Sequence, residues 1–165
     1  MSKQPAPSYP QDFAEVLRHI QQTRQRVLAQ ANTALIDLYW RVGQTLSHKV
    51  AQAGWGKGVV TELAHYIAQA DPTIHGFSDK NLWRMKQFYE TYQGDEKLST
   101  MLRALPWSHN LAIFSRCKTV DERQFYLALA AKERYTFREL DRQISASTFE
   151  RAVAAPAKLS TLLRV

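Results

Sequence analysis

The sequence is poor in the residues that disulfide-held or turn-rich folds need. It contains one cysteine, Cys117, so it can form neither an internal disulfide nor a thiolate metal cluster. Cys117 lies in an apolar stretch, where a lone cysteine usually behaves as a small buried hydrophobe. Its six glycines and six prolines are fewer than a β-sandwich with many turns would usually contain. We therefore look for the fold in helical patterns.

Long hydrophobic runs are also missing. The N-terminal segment MSKQPAPSYPQ is polar and proline-rich, and it lacks the apolar centre of a signal peptide. No segment approaches the ~20 apolar residues of a membrane-spanning helix. These absences predict a cytoplasmic protein that has no membrane partner.

Patterns typical of catalytic and metal sites are absent from the sequence. No two of the five histidines have the i, i+4 spacing of a helical metal site. The segment GWGKG at 54–58 lacks the spacing of a phosphate-binding P-loop and follows a helical pattern instead of a strand. Asp95-Glu96-Lys97 has the order acid-x-Lys, but it lies in a predicted polar loop, whereas a PD-(D/E)xK nuclease carries this triplet on a strand after a further carboxylate. We expect no cofactor, no metal and no catalytic residues, and an enzyme in its own right is the least favoured hypothesis.

Positive charge is what the sequence has in excess. Twenty-two lysines and arginines outnumber 15 aspartates and glutamates, which gives a formal net charge of +7. Such a balance favours polyanionic partners, with nucleic acid ahead of an acidic membrane. The apolar fraction of 45% is ordinary for a globular domain, and 165 residues suit one domain.

A long helix is predicted from Asp12 to about Lys49. Its apolar residues recur in steps of three and four and form a heptad-like seam that Arg24 interrupts. Such a helix would be roughly 55 Å long, which exceeds the width of a small domain. Either part of the seam packs on another chain, or the helix is bent or broken and packs within its own domain. In the first case the interface residues are Leu17, Ile20, Val27, Leu38 and Tyr39.

Five shorter helices follow in the prediction. Two of them, at 57–70 and 79–92, are joined by a turn in the manner of a helix-turn-helix, and 94–100 is expected to be a polar loop. The others start near Trp107, run from 120 to 134, and begin after Thr136 with Phe137, Leu140 and Ile144 facing inward. The predicted fold class is all-α: a long N-terminal helix and a helix-turn-helix-like multi-helix domain, with a small wing as an optional addition. The expected organisation is a flexible leader at 1–10, the domain at 11–153 and a linker-like tail at 154–165.

A polar stripe on the helix at 79–92 is a candidate for reading DNA. Lys80, Arg84, Gln87 and Thr91 follow one another at steps of four, three and four, opposite the apolar face. Arg and Gln can form bidentate contacts with base edges, and Lys suits a phosphate. Asn81 lies beside the stripe. The alternative is that this is the ordinary solvated face of an amphipathic helix.

Further basic residues would hold phosphates. Lys57 opens a helix, where free backbone N–H groups already favour an anion. Arg138 and Arg142 share one face of the last predicted helix. Intrahelical ion pairs with the nearby Glu139 and Asp141 are the alternative explanation for those two arginines.

Several strings together resemble the N-terminal domain of the YhcG family. They are LYWRVGQTL at 38–46, GWGKGVVTELA at 54–64, GFSDKNLWRMKQFYETY at 76–92, LPWSHN at 105–110 and RELDRQI at 138–144. The resemblance covers roughly residues 12–153. In this bacterial family such a domain precedes a PD-(D/E)xK nuclease domain and is regarded as helix-turn-helix-like, in genome-defence contexts.

The resemblance implies a nuclease-associated role and assigns no catalytic residue. The chain stops at Val165 without a nuclease half, so it is expected to be either an excised domain or a natural stand-alone version. Ser108 is expected to cap a helix, and His109 to bond a neighbouring loop or, less favoured, to contact a partner. The matched positions of the 79–92 helix imply mainly structural roles; these are Ser78, Asn81, Leu82, Met85, Phe88 and Tyr89.

Two functional hypotheses follow. In the first, the chain is a DNA-binding and assembly module of a nuclease system, a homo-oligomer through its long helix, and bound to DNA and to a nuclease domain or partner protein. In the second, it is a protein-interaction or dimerisation module without direct DNA contact.

Overall fold

The computed structural model describes residues 9–154, so residues 1–8 of the predicted leader and 155–165 of the predicted tail lie outside it. The helices are α1 (Tyr9–Ala53), α2 (Lys57–Ala70), α3 (Asp79–Tyr92), α4 (Glu96–Ala104), α5 (Trp107–Arg116), α6 (Val120–Glu133) and α7 (Phe137–Ser145). A last helical segment covers 148–154. Residues 9–154 contain no strand, so the all-α prediction is confirmed and the optional wing does not occur among them. None of the helices in this range has the length and hydropathy that crossing a bilayer requires.

Helix α1 is one uninterrupted helix of 45 residues, about 68 Å long at 1.5 Å per residue. It starts at Tyr9, inside the predicted leader, and ends beyond the predicted Lys49. The broken-helix alternative is therefore wrong. Every residue from 9 to 31 is exposed, and burial begins only where α1 meets α3 and α4.

The crossing of α1 and α3 organises the domain. Gly43 is buried there, and a Cβ atom on it would lie 2.1 Å from the carbonyl oxygen of Met85. Trp40 packs edge-on against Phe88 and Tyr89, with ring centroids 5.6 and 5.0 Å apart. The absence of a side chain at one position thus lets two helix backbones approach, and an aromatic cluster fills the space beside them.

Helix α3 is central because its whole apolar face is buried. Leu82 and Met85 join a cluster with Leu46 of α1 and Val60 of α2. Phe88 and Tyr92 join the larger cluster formed with α4 to α7. The inward face predicted from the 3.6-residue period is therefore confirmed for α3.

Side chains that accept a hydrogen bond from the backbone cap the first turn of several helices. The Oγ of Ser78 accepts from the backbone N–H of Asn81 at 3.2 Å, as the sequence predicted. Thr136 caps α7 in the same way. The predicted cap at Ser108 is wrong: Pro106 precedes the first residue of α5 without a side-chain cap, and the Ser108 hydroxyl lies 3.2 Å from Nδ1 of His109. A proline has no N–H to satisfy and its fixed φ suits a helix start.

Two further corrections concern which residues face inward. The predicted loop at 94–100 contains the start of α4, capped by Asp95, because Leu98 and Leu102 stand one turn apart and bury together. The polar residues around this pair hid its helical spacing. Phe137 was expected to face inward but is 49% exposed: it shares a side of α7 with the buried Leu140, but it is the first residue of the helix, where its ring lies beside His109 and stays open to solvent.

Two buried polar side chains join α5 to its neighbours. Asn110 donates to the carbonyls of Leu102 and Leu105 at 2.9 and 3.2 Å, and so holds the end of α4. Nε2 of His109 bonds the carbonyl of Tyr135 at 2.7 Å, which ties α5 to the connection between α6 and α7. The favoured expectation that His109 bonds a neighbouring loop is thus what the structure contains.

Candidate nucleic-acid and assembly surfaces

The polar stripe of α3 lies on the outer side of that helix. Lys80 and Gln87 are exposed, Arg84 is half-buried towards α5, and Thr91 is half-buried near the connection between α3 and α4. This places the four residues along one edge of the α3 surface. They therefore form a continuous row, as the spacing predicted.

Asn81 differs from the rest of the stripe because the domain uses both ends of its amide. Its Nδ2 donates to the carbonyl of Gly76, and its Oδ1 accepts from Nε1 of Trp107 at 3.1 Å. Trp107 in turn packs on Tyr39 and Phe88, with centroids 5.0 and 5.1 Å away. In this arrangement Asn81 fixes the turn before α3 onto α5 and is not free to contact a base.

A surface cleft of about 370 Å³ connects α3 to α7 across α5. Arg84 forms one wall, Phe137 and Asp141 form the other, and α5 provides the floor. The floor residues are Ser108, Leu111, Ala112, Ser115 and Arg116. Arg138 and Arg142 follow Phe137 and Asp141 in sequence, so they lie next to the cleft on the solvent-exposed side of α7. We call this region the α3–α5–α7 cleft.

The cations around this cleft fall into two groups. In the described part of the chain, no carboxylate pairs with Lys80, Arg84 or Arg138. Arg116, by contrast, pairs with Asp141 and donates to Ser145 Oγ at 2.9 Å. Arg84 in the cleft wall, Lys80 one turn before it on α3 and Arg138 next to Phe137 on α7 are therefore free to meet an anion.

Intrahelical ion pairing, the alternative explanation for the two α7 arginines, holds for one of them. Arg142 pairs with Glu139 at 2.7 Å, and the hydrogen bond from Arg142 lowers the pKa of Glu139 below its usual value. Arg142 is exposed, so this is a weak surface pair that another anion can displace.

Lys57 lies at the first position of α2, exposed and away from the α3–α5–α7 cleft lining. One turn later, Thr61 bonds Oδ2 of Asp79 at 3.4 Å, so the start of α2 lies near the start of α3. Lys57 and Lys80 therefore belong to the same end of the helix pair.

The predicted interface residues of α1 divide into two groups. Leu17, Ile20 and Val27 are each more than half exposed, and Leu38 is 42% exposed. Tyr39 instead turns inward and packs between Phe77 and Trp107. The first four remain available to a partner, whereas Tyr39 is used within the domain.

Residues 9–154 hold no group of three or more His, Cys, Asp and Glu side chains placed to bind a metal. Cys117 is buried at the end of α5, and this burial raises the pKa of its thiol to about 11. The thiol is therefore protonated at neutral pH, in keeping with the expected role as a small core residue.

Sequence reasoning did not find Ser115 and Arg116 as members of the α3–α5–α7 cleft. Both belong to α5, far in sequence from the stripe on α3 and the arginines on α7. No local pattern marks them, because only the packing of α5 between α3 and α7 brings them to this surface.

Comparison with known proteins identifies one relationship. A family model described as the DUF1016 N-terminal domain matches residues 15–151, and no nuclease domain is matched. This range is most of the chain and contains all the helices that form the core. No curated protein and no solved structure matches the chain.

Proposed function

The chain belongs to the DUF1016 N-terminal domain family, which is the YhcG N-terminal family, and we propose that it is a DNA-binding and assembly module of a nuclease system. It performs no catalysis itself in this proposal. The nuclease chemistry belongs to a separate domain or partner protein. The module's part is to hold that nuclease on DNA.

The observation that supports DNA contact is the meeting of two basic sets at one cleft. Arg84 of α3 and the α7 wall that carries Arg138 are more than 50 residues apart in sequence and border the same surface. These two arginines have no carboxylate partner in the described residues. Unpaired cations around a concave surface attract a phosphate backbone and release its counterions on binding.

In the complex, the exposed edge of α3 enters a groove. Arg84 and Gln87 meet base edges, since both can form bidentate contacts there. Lys57, Lys80 and Arg138 contact phosphates and set the position of α3 on the duplex. Arg142 joins them when DNA replaces its pairing with Glu139.

Fluorescence anisotropy with a labelled random duplex, titrated at several salt concentrations, tests this proposal. We expect the logarithm of the affinity to fall steeply with the logarithm of salt concentration, because several phosphates are neutralised. The K80A/R84A variant should bind at least about 10-fold more weakly, since each lost contact is worth on the order of 1 kcal/mol or more. K97A/K132A is the matched control, because it removes the same charge from exposed positions outside the cleft lining.

Equal affinities of K80A/R84A and K97A/K132A would show that only net charge matters, and would overturn the role of the α3–α5–α7 cleft. No binding at low salt would overturn DNA contact altogether. The second hypothesis, a protein-interaction module, would then stand alone.

A second observation supports the assembly part of the proposal. The first 23 described residues of α1, 9–31, are exposed, yet they include Phe13 at 69% exposure and Ile20 at 51%. Most of the stability of a helix in a protein comes from packing of its apolar face, and this segment lacks such packing within the described chain. A partner that covers its apolar residues would stabilise it.

A further inference from the structure

The exposed apolar residues of α1 form one face that the domain covers only at its C-terminal end, around Val42 and Leu46. At 100° per residue they fall within an arc of about 120°. They are Tyr9, Phe13, Val16, Leu17, Ile20, Val27, Leu28, Leu35 and Leu38. Of the α1 residues that enter the core, Ile36 and Gly43 lie roughly 120–140° around the helix from the centre of this arc, whereas Leu46 lies at its edge, where α1 meets α2. We call the exposed face the α1 stripe.

The α1 stripe changes in side-chain size along its length. Two seam positions of its first half, Leu17 and Ile20, are large and two of its second half, Ala31 and Ala34, are small, while Val27, Leu28, Leu35 and Leu38 keep the rest of the second half large. When two such helices run antiparallel, Leu17 faces Ala34 and Ile20 faces Ala31. Large side chains then fit against small ones, as close packing requires. A parallel pair would place large on large at one end and small on small at the other.

The stripe ends at an apolar cleft that suits an aromatic side chain. The cleft, of about 590 Å³, lies between α1, α2 and the 71–78 connection, and Leu38 belongs to both it and the stripe. Its other apolar lining includes Val42, Trp55, Leu63, Ile74 and Phe77. In the antiparallel register just described, Phe13 of one copy faces Leu38 of the other, and Tyr9 faces Val42.

Charge along α1 favours the same orientation. Asp12 and Glu15 make its first turns acidic, whereas Arg24 and Arg26 make its middle basic and Arg41 lies beside the apolar cleft. An antiparallel pair brings the acidic end of each copy to the end of the other that carries Arg41. A parallel pair would instead align the acidic ends with each other, which is unfavourable, whereas the Arg24 and Arg26 residues of the two copies lie close together in either orientation.

From the α1 stripe, its size pattern and the cleft at its end, we propose that two copies of this chain pair antiparallel along α1, each inserting Tyr9 and Phe13 into the other's apolar cleft. This deepens the assembly part of the proposed function and rests on it. The occupant is a second copy because one chain supplies both the exposed aromatic end, Tyr9 and Phe13, and the apolar cleft that receives it. Such self-complementarity is what a two-fold interface needs.

The first test is the mass of the full chain in solution, measured by light scattering at tens of micromolar. We expect twice the chain mass of 19.0 kDa. The L17D/I20D variant should dissociate at least about 100-fold more readily, because it buries charge at two apolar contacts. Q22D/A29D adds the same charge on the opposite face of α1 and should remain dimeric. All four positions are exposed, so none of these changes disturbs the core.

The second test separates the two orientations by disulfide formation. Ile20→Cys and Ala31→Cys chains are oxidised separately and as a mixture. Antiparallel pairing places residue 20 of one copy against residue 31 of the other, so only the mixture should give a covalent dimer. The unaltered chain is the control, because its buried Cys117 should not cross-link.

Covalent dimers of each variant alone would overturn the antiparallel orientation. A dimer that L17D/I20D does not weaken would show that another surface pairs the chains, and a monomeric mass would overturn self-pairing. Anisotropy with duplex DNA on the same samples keeps the two proposals apart. If the chain binds DNA as a monomer, only the pairing proposal is refuted. If it is a dimer that does not bind DNA, only the proposed DNA contact is refuted.

Discussion

Where α1 crosses α3, only a hydrogen atom fits on the side of Gly43 that faces Met85. A methyl group there would overlap the Met85 carbonyl carbon and oxygen, at 2.7 and 2.1 Å. Both clash partners are backbone atoms, which cannot move aside without separating the helices. The tight crossing therefore depends on this glycine.

We expect Gly43→Ala to lower the free energy of unfolding by about 2–3 kcal/mol, since overpacking forces α1 and α3 apart. Gly58→Ala is the matched control: no atom lies within 4 Å of its added Cβ atom. Because Gly58 lies in the first turn of α2, this control should be neutral or stabilising by roughly 0.5 kcal/mol. Urea unfolding followed by circular dichroism measures both. Equal stabilities of the two variants would mean that the crossing tolerates a wider separation.

Residues of the LPWSHN string likewise owe their roles to packing and internal hydrogen bonds. Trp107 supports Asn81, Asn110 holds the end of α4, and His109 holds the Tyr135 carbonyl. None of these roles can be assigned from spacing alone, since each partner lies on another element. The sequence analysis singled out this string, but it assigned Ser108 a capping role that Pro106 makes unnecessary.

Among the helices, α1 has two parts that differ in how much tertiary packing stabilises them. Its second half is anchored by Ile36, Gly43 and Leu46, whereas residues 9–31 are held, within the described chain, by contacts inside the helix itself. An isolated helical segment of this length opens readily in water. Its protection from hydrogen exchange therefore reports on whether something covers it.

We expect amides of 12–30 to exchange much faster than those of 36–46 at sub-micromolar concentration, where pairs dissociate. At tens of micromolar, protection over 12–30 should rise in the unaltered chain and in Q22D/A29D but not in L17D/I20D. Hydrogen exchange read by mass spectrometry at two concentrations makes this comparison. Uniform protection of α1 at both concentrations would contradict the expectation, because it would require support from within one chain.

The elements that sequence patterns predicted best are those with a complete amphipathic face. Helices α2, α3 and α6 were predicted to within a residue or so, because turns with glycine, proline or threonine bound a clear 3.6-residue repeat. Helix α4 was missed, since its inward face consists of one leucine pair within a polar segment. Phe137 was assigned to the correct side of α7 but is less buried than expected, because it is the first residue of that short helix.

For the whole molecule, the two proposed surfaces act together. An antiparallel pair related by a two-fold axis carries two copies of the α3–α5–α7 cleft, so a long duplex can engage both at once. Engagement of the second cleft is then intramolecular and raises the apparent affinity without a new contact.

We expect L17D/I20D to lose roughly 10-fold or more in affinity for a long duplex while binding a duplex of about one helical turn as the unaltered chain does. Anisotropy titrations with two duplex lengths at one salt concentration test this. K80A/R84A serves as the comparison, because it should weaken binding to both lengths. A loss in L17D/I20D that is equal for both duplexes would mean that the α1 stripe itself contacts DNA.

The sequence by itself determined the all-α class, the existence of a long first helix and the positions of most of the others, because local periodicity, caps and helix-breaking residues encode these. It also identified the family, since the strings that define it are contiguous in the chain. Tertiary structure alone decided that Tyr39 turns inward while Leu38 beside it stays exposed, that Arg84 and the α7 wall share a cleft, and that the α1 stripe ends in an apolar pocket. These outcomes depend on which faces of different helices meet, and that is set by packing between residues far apart in sequence.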